Sequence, residues 1–150
     1  MLLETLKENL LTAQKAQDQV NLRALRMLLS EVKNKEIELR PLNRQIEDAD
    51  IVALIQKGIK SRTESIEMFT TGNRPDLVKK EQDEIAVLKN YLPQQMTQAE
   101  VEEAVVDAIS KVGATDIKAM GAVMNELKSV LAGKADMAVV GALVKTKLSS

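Results

Sequence analysis

Residues 88–113, LKNYLPQQMTQAEVEEAVVDAISKVG, decide the fold. Leu88, Tyr91 and Leu92 close an apolar stripe at helical spacing. Pro93 then lacks a backbone donor and crowds the preceding turn, so a helix ends there. Four residues later, Thr97 and Glu100 have the Thr-x-x-Glu spacing of a capping box, in which each side chain accepts from the other residue's backbone N–H. Val101, Val105, Ile109 and Val112 recur every three or four residues, the period of an amphipathic helix. Gly113 suits the left-handed residue that closes such a helix. A helix end, a proline break and a freshly capped helix predict a boundary, with an N-terminal domain over 1–95 and a C-terminal domain over 96–150.

The same period extends outward on both sides. Leu3, Leu6, Leu10 and Ala13 mark a first helix. Leu22, Leu25, Leu29 and Val32 mark a second, which ends before Pro41. PLNRQIEDAD (41–50) reads as a loop, with Asp48 or Asp50 available as a cap. Ile51, Leu54, Ile55, Ile59, Ile66 and Phe69 give a third helix, stopped by TTGNRP (70–75). Asp76 can cap a fourth, carrying Leu77, Ile85 and Leu88. Beyond Gly113, Met120, Val123, Met124, Leu127 and Leu131 form a helix closing at Gly133. Met137, Val140, Leu143, Val144 and Leu148 form a last one, capped by Asp136. Alternating strand patterns are missing. The fold class expected is all-α: a longer N-terminal helical domain followed by a small C-terminal helical bundle.

Composition narrows the chemistry. Aromatic residues make up 1% of the chain, Phe69 and Tyr91, so the core must be aliphatic. With neither cysteine nor histidine, disulfides, thiolate metal sites, cysteine nucleophiles and imidazole bases are excluded. No metal or cofactor is expected. No apolar run reaches the ~18 residues that span a bilayer, and MLLETLKENL lacks a secretory pattern. A cytoplasmic location away from membranes is therefore expected. A formal net charge of -1 argues against a general polyanion binder, and no DNA partner is expected. Charge is uneven, however. Between Lys111 and Ser150, six lysines oppose Asp116, Glu126 and Asp136.

Catalytic signals are weak, and no catalytic residue is assigned. Ser30-Glu-Val-Lys33 has Ser-x-x-Lys spacing, but its companion motifs are absent and it lies on a periodic helix. Glu81, Asp83 and Glu84, like Glu100, Glu102 and Glu103, read as solvated faces beside lysines. Arg23, Arg26 and Lys33 flank an apolar stripe, as snorkelling cations do. KAMGAVMNELKSVLAGKAD (118–136) is more informative. A glycine inside a helix costs about 1 kcal/mol relative to alanine. At 100° per residue, Gly121 lies some 120° from the centre of the apolar stripe, beside Lys118, Asn125 and Lys128. Two readings stay open. Either another helix crosses closely there, with Gly141 as its counterpart, or bare backbone between lysines admits a polyanion. Gly133 has the position of a left-handed cap and leaves Lys134 for a partner. The candidate RNA-binding residues are Lys118, Gly121, Asn125, Lys128, Gly133 and Lys134.

Segments along the chain carry a resemblance: LRMLLSEVKNKEIE, RTESIEMF, GNRPDLVKKEQDEIAVLKNYLP, KAMGAVMNELKSVLAGKAD and LVKTKL. In this order they resemble the YqeY family, stand-alone relatives of the tail domain of GatB, the tRNA-binding subunit of glutamine-dependent tRNA amidotransferases. The resemblance implies two helical domains, the second related to a tail that contacts tRNA. Gly121 to Met124 and Gly133 to Asp136 occupy matching positions. It also implies an association with carbon–nitrogen ligase activity using glutamine as amido-N-donor, although no counterpart of the glutaminase nucleophile is visible. Two positions depart from the family pattern, Met137 where glycine is common and Gly141 where asparagine is common. The resulting expectation is a helical adaptor that binds tRNA through its C-terminal domain in the context of tRNA-dependent amidation. Amidotransferase subunits or an aminoacyl-tRNA synthetase are its expected protein partners. The rivals are a component of the ligase activity itself and a protein–protein module with no RNA role.

Overall fold

A computed structural model describes residues 1–149, and among them it contains helices and no strand. The chain divides into two units, Met1–Leu92 and a second beginning at Pro93.

The N-terminal unit holds α1 (Leu2–Ala16), α2 (Gln19–Leu39), α3 (Asp48–Thr71) and α4 (Pro75–Lys89). α1 ends because Gln17 turns left-handed at φ 56°, and Asp18 caps α2 at once by accepting from the Asn21 N–H at 3.2 Å. The Asn21 side-chain amide also donates to Asp18, holding its carboxyl below the usual range. α2 stops at Leu39, and Pro41 sits in a single 3-10 turn over Arg40–Leu42. Leu6, Leu25, Leu28, Val32, Ile51, Ile55 and Leu88 form the buried core.

Three expectations need correcting here. α3 is preceded by Glu47, not capped by Asp48 or Asp50. Asp50 lies inside the first turn and accepts from the Glu47 N–H at 2.9 Å, while Asp48 accepts from the Leu2 N–H at 3.1 Å. Asp76 does not cap α4, because Pro75 already occupies the first helical position and Arg74 precedes it. Its carboxylate instead pairs with Arg74 at 3.3 Å. Finally, Glu84 is not on a solvated face. It is 5% exposed, on the inner side of α4 with Val87 and Leu88. The reason is spacing: Leu77, Glu81, Glu84 and Leu88 follow i, i+4, i+7, i+11, a single face.

The C-terminal unit holds α5 (Gln98–Val112), α6 (Met120–Leu131) and α7 (Met137–Ser149). The capping box forms as read: Glu100 N–H donates to Thr97 Oγ1 at 3.2 Å, and Thr97 N–H donates to Glu100 Oε2 at 2.8 Å. Gly113 closes α5 at φ 73°. α6 is entered through a 3-10 turn, Ile117–Ala119, in which the Lys118 N–H donates to Asp116 Oδ1 at 3.0 Å. Asp136 Oδ1 accepts from the Ala138 N–H at 2.9 Å, starting α7. Val101, Val105, Val123, Leu127, Leu131, Val140 and Val144 pack between the three helices as an entirely aliphatic core.

Candidate nucleic-acid interface

α6 presents its core side through Val123, Leu127 and Leu131, all 0% exposed. The opposite side carries Gly121, Asn125 and Lys128, at i, i+4 and i+7, and each is exposed. A Cβ built on Gly121 meets no heavy atom within 4 Å beyond its own helix backbone. No helix crosses there, so the crossing reading is excluded. Gly141 faces the other flank of α6 at ordinary contact distance: its Cβ would meet Met124 Cε at 3.8 Å and Met120 Cε at 3.9 Å. The two glycines therefore do not face each other.

Lys118 stands one turn before Gly121, exposed in the 3-10 entry to α6. Lys118, Gly121, Asn125 and Lys128 thus follow one another along an open flank. Lys111 is drawn elsewhere, into an ion pair with Glu126 at 2.6 Å.

Gly133 and Lys134 belong to different surroundings. Gly133 is left-handed at φ 75°, and its carbonyl accepts from Gln95 Nε2 at 2.7 Å. The Lys134 carbonyl accepts from the Met96 N–H at 2.9 Å. These bonds tie the strap after Pro93 to the turn between α6 and α7. Lys134 lines a cleft with Gln94, Gln95, Met96, Glu100, Glu103 and Asp107. The three carboxylates in that lining disfavour a phosphate there. The uneven charge is thus a matter of helices: acids on α5, lysines on and around α6 and α7.

Among the described residues, no group of three or more acidic, histidine or cysteine side chains could hold a metal ion, and no helix is long and apolar enough to cross a membrane. Of the flanking cations on α2, Arg23 is half engaged, its Nε lying 3.4 Å from Glu84. The one ion cluster that sequence reasoning missed centres on Arg62. Its signal was present, since Arg62 falls on the stripe of Ile55, Ile59 and Ile66 while Glu81 and Glu84 fall on that of Leu77 and Leu88. Opposite charges on two core stripes are a readable sign of an internal pair.

The model of the Yqey-like protein family matches residues 3–148. The chain belongs to the YqeY family. Among curated proteins, it is 39% identical over 97 residues to altered inheritance of mitochondria protein 41 of Lachancea thermotolerans, covering 65% of this chain and 51% of that protein. The namesake of Saccharomyces cerevisiae is 35% identical over the same shares. That of Pyrenophora tritici-repentis is 32% identical over 138 residues, covering 90% of this chain and 74% of the relative. The chain spans about half the length of the first two relatives. All three are named as mitochondrial proteins, which overturns the cytoplasmic expectation. That expectation rested on the lack of a secretory pattern, a feature that does not separate one interior compartment from another.

Proposed function

We propose that this YqeY protein is a helical adaptor whose C-terminal unit contacts structured RNA, tRNA above all, in the setting of tRNA-dependent amidation. The observation that carries the reading is the empty space over Gly121 on a flank edged by Lys118 and Lys128. A phosphate chain approaches bare helix backbone more closely than a surface studded with side chains, and two ammonium groups offset its charge. Asn125, between them, supplies a neutral donor. Phe69 and Tyr91 both belong to the N-terminal unit, so the C-terminal unit offers no aromatic platform for base stacking. Recognition there rests on shape and phosphates.

The test is a tRNA titration at several salt concentrations. Lys118→Ala and Lys128→Ala should each flatten the log–log salt slope by about 1. Lys134→Ala should change it less, because Glu100, Glu103 and Asp107 share its cleft. An unchanged slope in the Lys118/Lys128 double variant defeats the proposal and leaves a protein–protein module as the reading.

A further inference from the structure

The solvent side of α2 sorts its charges by angle. At 100° per residue, Gln19, Arg23, Arg26, Ser30, Lys33 and Asn34 fall within an arc of about 100°, turned away from the buried Leu25, Leu28 and Val32. All six are exposed. The carboxylates of α2, on Glu31, Glu36 and Glu38, lie outside that arc. Arg23 to Lys33 therefore marks a strip about 15 Å long, at 1.5 Å of rise per residue, on which α2 places cations and neutral polar groups but no acid. The side chains of Arg26 and Lys33 make no ion pair or hydrogen bond among the described residues. Arg23 Nε lies 3.4 Å from Glu84, but Arg62 Nη1 holds that same carboxylate at 2.8 Å. One acid thus serves two guanidinium groups, and the strip stays net positive.

The strip's composition selects its occupant. A folded protein partner docks around an apolar centre with a polar rim. Here the middle is Arg26, Ser30 and Lys33, and the exposed apolar side chain of the arc, Ile37, stands at one end. A phosphate chain needs no apolar centre. Its oxygens only accept, so guanidinium and ammonium groups meet its charge while the Ser30 hydroxyl and the Asn34 amide donate to it. We propose that this strip of α2 is a second phosphate-contact surface, seated in the N-terminal unit, that takes the backbone of a structured RNA. The choice of RNA as the polyanion rests on the reading given for the C-terminal unit; the fit of the strip to a row of phosphates does not.

A tRNA titration of the full chain between about 50 and 200 mM salt tests it. Arg26→Ala/Lys33→Ala should flatten the log–log slope by about 2, so that across this range its affinity falls roughly tenfold less than that of the unaltered chain. Both positions are exposed, so the fold survives. Lys57→Ala/Lys60→Ala removes the same charge from exposed positions of α3 and should leave the slope unchanged. Ser30→Glu keeps all three cations but sets a carboxylate between Arg26 and Lys33, and should weaken binding. A flattened slope in Lys118→Ala/Lys128→Ala beside an unchanged one in Arg26→Ala/Lys33→Ala overturns this inference and keeps the C-terminal reading. The reverse result supports the strip and defeats that reading. Equal flattening in the α3 control, a lowered melting temperature with no change of slope, or tighter binding of polyglutamate than of tRNA by the strip also overturns it.

Discussion

The two units handle charge in opposite ways. In the N-terminal unit, Arg62, Glu81 and Glu84 lie inside, among Leu28, Leu54 and Leu88. In the C-terminal unit, the core from Val101 to Leu148 is wholly aliphatic, and Lys118 and Lys128 stand outside. An internal ion cluster gains little net stability, because desolvating the charges offsets most of their attraction. It does fix which groups meet, Arg62 with Glu84 and Glu81. An aliphatic core does the reverse: it supplies stability by packing and frees the surface charges for partners. The comparison thus sets a unit that buries some of its charges beside one that keeps them at its surface.

The sharpest way to break that comparison is to damage each core in turn. Leu127→Ala removes a side chain that is 0% exposed and should cost about 3–5 kcal/mol. In a unit this small, that is enough to unfold it. Far-UV circular dichroism will show part of the helix signal lost, while Tyr91, which belongs to the other unit and accepts a hydrogen bond from Asn9 at 2.8 Å, keeps its native fluorescence. A change in Tyr91 would show that the two cores are not independent in stability.

Arg62→Met comes next, at about 3 kcal/mol, because it leaves the buried Glu84 and the partly buried Glu81 without their cation. The loss sits at the lower end of the range for a broken buried pair, since Arg23 remains 3.4 Å from Glu84. Tyr91 fluorescence during urea unfolding measures it. Adding Glu81→Leu and Glu84→Leu to the same variant should restore most of the loss, because an apolar set of similar volume needs no desolvation. If the triple variant stays as weak as the single one, the cluster contributes net stability and the contrast between the units dissolves.

Much of this was legible in the residues. Thr97 with Glu100, Gly113, Asp136 and the stop before Pro41 announce helix ends, because caps and breakers act within a few residues of the chain. Asp48, Asp50 and Asp76 were misread for a related reason: several neighbouring residues can each satisfy the same first turn, and only the backbone path selects among them. Glu84 was misread because charge was taken as a sign of exposure when its position on the stripe was the better guide. The flank of Gly121 was half legible. Its angle from the apolar stripe showed that it leaves the core, but whether another helix covers it depends on the packing of α7, which follows Gly141 and the two methionines opposite. Lys134 shared a short segment with Lys118 and Lys128, yet the turn at Gly133 carries it to the side of α5.

The smallest effect sharpens the comparison most. Gly121→Ala introduces a methyl group where nothing lies within 4 Å, so no overpacking opposes the gain in helix propensity. Its place in the first turn of α6 limits that gain to about 0.5–1 kcal/mol. For a unit of this size the gain raises the melting temperature by a few degrees, at roughly 4–8 °C per kcal/mol. If the flank seats a phosphate chain, the same methyl group holds that chain off the helix, and tRNA affinity falls while stability rises. Opposite signs in one variant separate a contact surface from a mere gap in packing, since a gap would yield the stability without the loss of binding.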